Sequence, residues 1–479
     1  MGFTSGKFWL FLITVIILYA AVPKKFRWLV LLAASYTFYA LWHWEYIFLL
    51  AGLTLVSYFS GRKMASFSED RQRRLWLWIG LGVTLLSLFF FKYFDYTLAV
   101  LQAYIAPGLK VPDFLELAAP IGISFYTLQI FSYLMDVYRR QQPAEQDLAK
   151  FALFVGFFPQ MVAGPITRAK ALLPQLDEFE QLKLDNLTVG LFRILWGGVQ
   201  KYAIADRLSV IFDQITAGPD LPGSKTALGS LYIFSILLYF DFAGYSNIAL
   251  GIARLFGIRL AENFNQPYLS LDAADFWNRW HISLSNWLRD YIFYPVMRWL
   301  RGYIKNPRNA LLIVIPPMAA MLVSGLWHGT GLNFILWGAI HGILLALAAW
   351  TSRWRKSMKE KLGRIGGFLF GAAEWFGTFT AITLAWAFFK MPVSTAISYL
   401  VGIVTKPGLA VIGIVEYSII GVLALIFILM ELFRAWLKDF DRILSIPLVL
   451  RWGVTYLLIF ILLLAGDFAS SQPFLYQGF

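Results

Sequence analysis

Twelve stretches of this chain are apolar enough to be read as crossing a lipid bilayer, and that succession removes most of fold space. In hydrocarbon every backbone N–H and C=O must be satisfied inside the protein, so a spanning segment is a helix or part of a closed barrel. Mostly apolar runs approaching 20 residues mark helices. They lie near 8–22, 27–42, 45–60, 75–104, 119–138, 189–212, 227–253, 309–327, 331–350, 367–389, 413–434 and 449–469, with a shorter, re-entrant-looking run at 151–165. The expected fold is all-α and polytopic, with about 11–13 transmembrane or re-entrant helices. Residues 1–479 form one membrane-embedded domain, and 258–308 is its longest non-spanning region. Hydrophobic residues make up 59% of the chain and charged residues 14%, against roughly 25% charged in an ordinary soluble domain. Too little polar surface is available for a water-soluble enzyme or a free-standing DNA-binding module. The first run is read as a retained anchor rather than a signal peptide, because Lys24, Lys25 and Arg27 follow it directly.

Orientation follows from Lys and Arg near the span ends. Arg62, Lys63, Arg71, Arg73 and Arg74 crowd the connection 61–74, and Arg353, Arg355, Lys356, Lys359, Lys361 and Arg364 crowd 351–364. Segments 139–150 and 298–308 are basic as well. All fall on the cytoplasmic side if both termini are extracytoplasmic. The net charge of +13 then reads as a topology signal and a contact with anionic membrane lipid, and no basic run forms a nucleic-acid module.

The chain has no Cys and only four histidines, His43, His281, His328 and His341. Zinc needs three or four ligands, so no metal is expected. His43 reads as an interfacial anchor, and His341 as a partner of a neighbouring helix. Between Asp275 and Tyr291 the spacing predicts one amphipathic helix, cytoplasmic on this topology. Trp277, His281, Leu284, Leu288 and Tyr291 share its apolar face, and Arg279, Ser283, Asn286 and Asp290 lie opposite. Asp275 and Arg279 form an (i, i+4) pair. Such a helix can simply lie at the interface with a packed histidine. The second feature is Ser324-Gly-Leu-Trp-His328-Gly-Thr-Gly-Leu-Asn333, where two apolar runs meet at Gly325, Gly329 and Gly331. An ionisable group at such a break is a functional-site candidate. A neutral imidazole there is suited to taking a proton from a hydroxyl near pH 7.

These residues resemble the membrane-bound O-acyltransferases, in particular the bacterial alginate O-acetyltransferase-like branch. The resemblance is carried by Asn263-Phe-Asn-Gln-Pro-Tyr268, by Asp275-Phe-Trp-Asn-Arg-Trp-His281-Ile-Ser-Leu-Ser-Asn-Trp-Leu-Arg-Asp-Tyr291, and by Gly325-Leu-Trp-His-Gly329. Pro120-Ile-Gly-Ile-Ser-Phe125, Asp241-Phe-Ala-Gly-Tyr-Ser246 and Ala385-Trp-Ala-Phe-Phe389 add to it. It implies helices surrounding a central tunnel, with acetyl-CoA or another acyl thioester, including an acyl carrier, entering from the cytoplasm and a hydroxyl acceptor meeting it. No permanently bound cofactor is expected. The family's invariant histidine maps onto His328 and its second catalytic position onto His281. His328 is then the general base, and His281 orients the thioester or stabilises charge on its carbonyl oxygen. Trp327, Asn333, Arg279, Arg289 and Asp290 are site-shaping candidates. Arg279 and Arg289 would either attract the donor's phosphates or fix the helix through Asp275 and Asp290.

The resemblance also implies O-acetylation of an extracytoplasmic polysaccharide at the bacterial inner membrane, with an extracytoplasmic acetyltransferase as partner. Tyr291-Ile-Phe-Tyr-Pro-Val-Met-Arg298 departs from the branch. The acceptor is therefore left open among alginate, peptidoglycan, another polysaccharide and a partner protein. A secondary transporter or flippase of an acyl or glycan precursor is the alternative reading, since it too would have many spans and a broken helix. The tail Phe474-Leu-Tyr476-Gln-Gly-Phe479 reads either as an aromatic interfacial anchor or, from its similarity to the branch's tail, as carrying an acyl relay at Tyr476.

Overall fold

The computed structural model describes residues 3, 5–105, 119–177, 182–216, 224–306, 309–405, 414–468 and 474. Among them every regular element is a helix and none is a strand, as the apolar runs require. The residues group into two compact units, Met1–Ile194 with Ile248–Ala261, and Leu195–Asn247 with Glu262–Phe479. Two of the three divisions fall inside the helices Leu184–Gly198 and Ser224–Leu255, and the third lies between Ala261 and Glu262.

In the first unit the helix Ile123–Tyr138 is buried along most of its length. Tyr46–Ser66 and Asp70–Lys92 pack against it. Arg73, expected as a topology charge, is buried instead. Its guanidinium donates to Met64 O at 2.7 Å, Val137 O at 3.2 Å and Tyr138 O at 2.8 Å. It thereby satisfies carbonyls that helix ends leave without an intrahelical partner.

The second unit is organised by a hairpin of two apolar helices, Ala310–His328 and Leu332–Lys361, followed by Gly363–Lys390. The hairpin is tight because glycines let backbones meet. A Cβ on Gly325 would lie 2.3 Å from Phe334 O, and one on Gly338 would lie 2.3 Å from Met321 O. Gly325 therefore serves the packing inside a helix rather than the turn itself, which Gly329 and Gly331 make as the flanking caps.

Three expectations change. Seven described helices are long and apolar enough to cross a membrane: Asp70–Lys92, Thr226–Leu255, Ala310–His328, Leu332–Lys361, Gly363–Lys390, Ser418–Leu437 and Leu448–Ala465. Several of the twelve runs are shorter helices. The run 75–104 breaks at Tyr93, and 189–212 divides into two α-helices joined by a π-helical turn, Val199–Ala205. That turn buries Lys201, a residue that lipid would not accept unpaired. Second, the basic stretch 351–364 is mostly helix, because Leu332–Lys361 runs on past the apolar residues. Arg355 pairs there with Asp272 at 2.9 Å and Lys359 with Glu374 at 2.6 Å. Third, the single amphipathic helix over 275–291 is broken at the histidine, as set out below. The connections 106–118 and 217–223 lie outside the described residues.

Replacing Gly338 by Val forces a side chain into the Met321 carbonyl. Overpacking of this kind costs about 1–3 kcal/mol. Thermal unfolding in detergent should show a clearly lower midpoint for Gly338→Val than for wild type. An unchanged midpoint would mean that the hairpin does not depend on this contact.

Candidate active site

The helix carrying the first motif starts at Ala273 because Asp272 caps it, its carboxylate accepting from Asp275 N at 2.8 Å. It ends at Arg279. Trp280 is extended, and His281 takes a left-handed backbone with φ 42° and ψ 52° before a second helix, Ile282–Leu288. For a residue with a side chain this conformation is uncommon and must be held by its surroundings. The segment 263–265 holds it. Asn265 N donates to Arg279 O at 2.9 Å, and Ile282 N donates to Asn263 O at 2.9 Å. A π-helical turn, Arg289–Phe293, follows the second helix. The apolar face predicted from spacing survives the break, with Trp277, His281, Leu284, Leu288 and Tyr291 all buried.

Asn263 also fixes the imidazole. Its Oδ1 accepts from Ser283 N at 3.3 Å and Ser283 Oγ at 2.8 Å, and it lies 3.1 Å from His281 Nδ1. Its amide nitrogen donates to Ser246 Oγ at 3.2 Å. A backbone N–H can only donate, so the Asn263 atom facing Ser283 N is the oxygen. His281 Nδ1 therefore carries the proton, and Nε2 presents its lone pair. His281 is fully buried. Loss of water holds its imidazole down to about 3, from an ordinary value of 6.5, with a backbone hydrogen bond opposing the shift. A neutral ring in this tautomer can accept a hydrogen bond from an N–H or O–H group through Nε2. Donation to a developing oxyanion would need a proton on that nitrogen.

His328 is the last residue of its helix and is 2% exposed. Trp327 contacts both histidines, its ring centroid 4.8 Å from that of His328 and 6.1 Å from that of His281. His328 is further enclosed by Trp337 at 5.1 Å and Phe389 at 5.2 Å. The fully buried Trp337 touches His341 and Trp386 in turn. His341 bonds to a neighbouring helix, as expected, its Nδ1 accepting from Trp277 Nε1 at 3.3 Å. The walls are thus aromatic and buried, and the imidazoles are the titratable groups they enclose.

The other candidates are not drawn into this cluster. Asn333 ties the hairpin to the following helix by donating to Phe388 O at 3.0 Å. Arg279 pairs with Asp275 at 2.8 Å, and Arg289 lies 3.4 Å from Asp290. Arg289 also lines a cavity of about 440 Å³ with Asn278, Asn286, Arg301, Met321 and Trp277. Trp277 therefore joins the cavity wall to the aromatic stack around the histidines. Tyr476 lies outside the described residues. Among the described residues no cluster of His, Asp and Glu suits a metal ion. Sequence reasoning passed over Asn263, Trp337 and Trp386. Asn263 and Trp386 do lie in the motif blocks 263–268 and 385–389.

Residues 112–389 match the model of the membrane-bound O-acyltransferase family. The chain is 38% identical over 394 residues to a probable alginate O-acetylase of Pseudomonas putida, covering 81% of this chain and 77% of the relative. To a peptidoglycan O-acetyltransferase of Helicobacter pylori it is 34% identical over 414 residues, covering 80% and 74%. To a teichoic acid D-alanyltransferase of Bacillus subtilis it is 32% identical over 245 residues, covering 50% and 61%. The residues of the histidine cluster all fall inside the matched family region.

The burial of His281 has a consequence for stability in acid. Between pH 6.5 and about 3 the unfolded chain binds a proton that folded His281 does not. Stability is therefore lost as pH falls from 6.5 towards 3. The thermal midpoint of a His281→Gln variant should decline less steeply between pH 6.5 and 4.5 than that of wild type. Identical slopes would mean that His281 titrates normally in the folded protein.

Proposed function

The chain belongs to the membrane-bound O-acyltransferase family, and from that premise we propose that it moves an acetyl group from a cytoplasmic thioester, acetyl-CoA or an acyl carrier, to a hydroxyl acceptor that serves O-acetylation of an extracytoplasmic polysaccharide. The observation that carries the reading is the meeting of His281 and His328 on one buried indole, Trp327. The relatives' names support the acceptor class: one is a probable alginate O-acetylase, another a peptidoglycan O-acetyltransferase.

In this reading His328 takes the proton of the attacking hydroxyl. The hydroxyl oxygen bonds to the thioester carbonyl carbon, the carbon–sulfur bond breaks, and the leaving thiolate recovers the proton from His328. The products are an O-acyl ester and a free thiol. His281 Nε2 accepts a hydrogen bond from an N–H or O–H group of donor or acceptor and so orients it. The cavity beside Trp277 supports a donor site, since an apolar wall with Arg289 and Arg301 at hand suits a thioester arm that carries phosphates.

Tyr476 is the proposed first acceptor. A phenol has an ordinary pKa near ~10 and needs a base, which His328 supplies. Acyl-Tyr476 would then pass its group to an extracytoplasmic acetyltransferase partner, so that the charged donor stays in the cytoplasm. The protein would sit in the bacterial inner membrane with both termini extracytoplasmic, an orientation supported by the lysines and arginines of 61–74 and 351–364.

Acetyl incorporation from labelled acetyl-CoA into membrane-associated acceptor tests the base. His328→Ala should keep its chromatographic profile and thermal midpoint and lose about 10²–10⁴-fold in rate. Near-normal transfer by a well-folded His328→Ala would remove the histidine from the mechanism.

A further inference from the structure

One buried stretch of helix, Asp241-Phe-Ala-Gly-Tyr-Ser246, serves two sites at once. Residues four apart share a helix face, so Phe242 falls with Ser246 and Asp241 with Tyr245. The first face belongs to the active site. Phe242 meets the His281 ring edge-on at 4.8 Å, and Ser246 Oγ accepts from Asn263. The second face belongs to the end of the chain. The Tyr245 ring meets Phe474 at 4.6 Å and 86°. Asp241 accepts from Lys201 Nζ at 2.6 Å, and the same ammonium lies 2.9 Å from Asp206 and 4.5 Å from the centre of the Phe474 ring.

Lys201, Asp206, Asp241 and Phe474 are all nearly inaccessible to solvent. A buried lysine must be compensated, and here two carboxylates and an aromatic face do so. The described residues just after the last long helix are tied to the same region. Arg207 Nε donates to Ala465 O at 2.8 Å, Asp467 N donates to Tyr202 O at 3.1 Å, and Phe468 packs on Tyr202 at 5.4 Å. An interfacial anchor would leave its ring among lipid headgroups, whereas Phe474 is 2% exposed.

We infer that Lys201 and Tyr245 form a seat for Phe474, which acts as a positioning residue beside the helical turn that carries the His281 network. Its catalytic meaning rests on the relay proposed above. Two residues of chain reach at most about 7 Å, so a tail seated at Phe474 keeps Tyr476 on a short tether.

Two measurements in native membranes test this. The first places benzoylphenylalanine at position 474 and maps its photo-crosslink by mass spectrometry. The second follows acetyl incorporation from labelled acetyl-CoA in Phe474→Ala, Phe474→Trp and Tyr476→Phe. The seat predicts a crosslink within 241–246. It also predicts a fall of roughly tenfold or more in kcat for Phe474→Ala, with donor KM near wild type and substantial recovery in Phe474→Trp, which keeps an aromatic face over Lys201. Crosslinks that avoid 241–246 would overturn the seat. The expected crosslink with full turnover in Phe474→Ala would overturn the positioning role. A crosslink and a loss in Phe474→Ala, with full transfer in Tyr476→Phe, would uphold the seat and refute the relay.

Discussion

Asn263 Oδ1 receives Ser283 N–H, Ser283 O–H and His281 Nδ1–H at one point inside the protein. Each of those donors is buried, and a buried donor left without an acceptor costs about 1–3 kcal/mol. The carboxamide thereby fixes Ser283 and decides which nitrogen of His281 keeps a lone pair, while the backbone of 263–265 holds the break in the motif helix. The same side chain reaches Ser246 on a buried helix. The second histidine arrives independently, on a hairpin whose glycines bring two helices within backbone contact. The two constructions meet at Trp327. In this membrane-bound O-acyltransferase the two imidazoles proposed to act are buried among aromatic rings. Family membership also sets aside the transporter or flippase reading, which rested on many spans and a broken helix alone.

The buried, aromatic surroundings explain why a neutral imidazole suits His281. A charged group would have to be paired in a medium that solvates it poorly. The carboxylates nearest to His281 in sequence, Asp275, Asp272 and Asp290, are engaged by Arg279, Arg355 and Arg289. The chain does bury charge elsewhere, at Lys201 with Asp206 and Asp241, where each ion has a direct partner.

Much of the fold was legible because long apolar runs admit few interpretations. The helices Ala310–His328, Gly363–Lys390 and Leu448–Ala465 lie close to where hydropathy places them. The break at His281 was not legible, because Trp277, Leu284, Leu288 and Tyr291 fall on one buried face whether the helix is continuous or bent. What bends it is a segment 18 residues away in sequence, at Asn263. The run 189–212 was misread as a single span because Lys201 finds its partner Asp241 forty residues further on, a pairing that no local pattern records. For the site, the histidine pair was named through resemblance, since four histidines alone carry no spacing rule that joins 281 to 328. Trp337 and Trp386 were passed over because nothing in a sequence with 19 Trp separates a wall of the site from ordinary core.

Where the reacting carbonyl sits decides whether the two histidines can act on it. A structure of the protein in nanodiscs with a non-hydrolysable acetyl-CoA analogue, its thioester sulfur replaced by methylene, would locate it. The acetyl carbonyl is predicted beside Trp327, within reach of both imidazoles, with the pantetheine arm running through the cavity bordered by Trp277, Arg289 and Arg301. An analogue bound with its acetyl group remote from His281 and His328 would contradict the central claim.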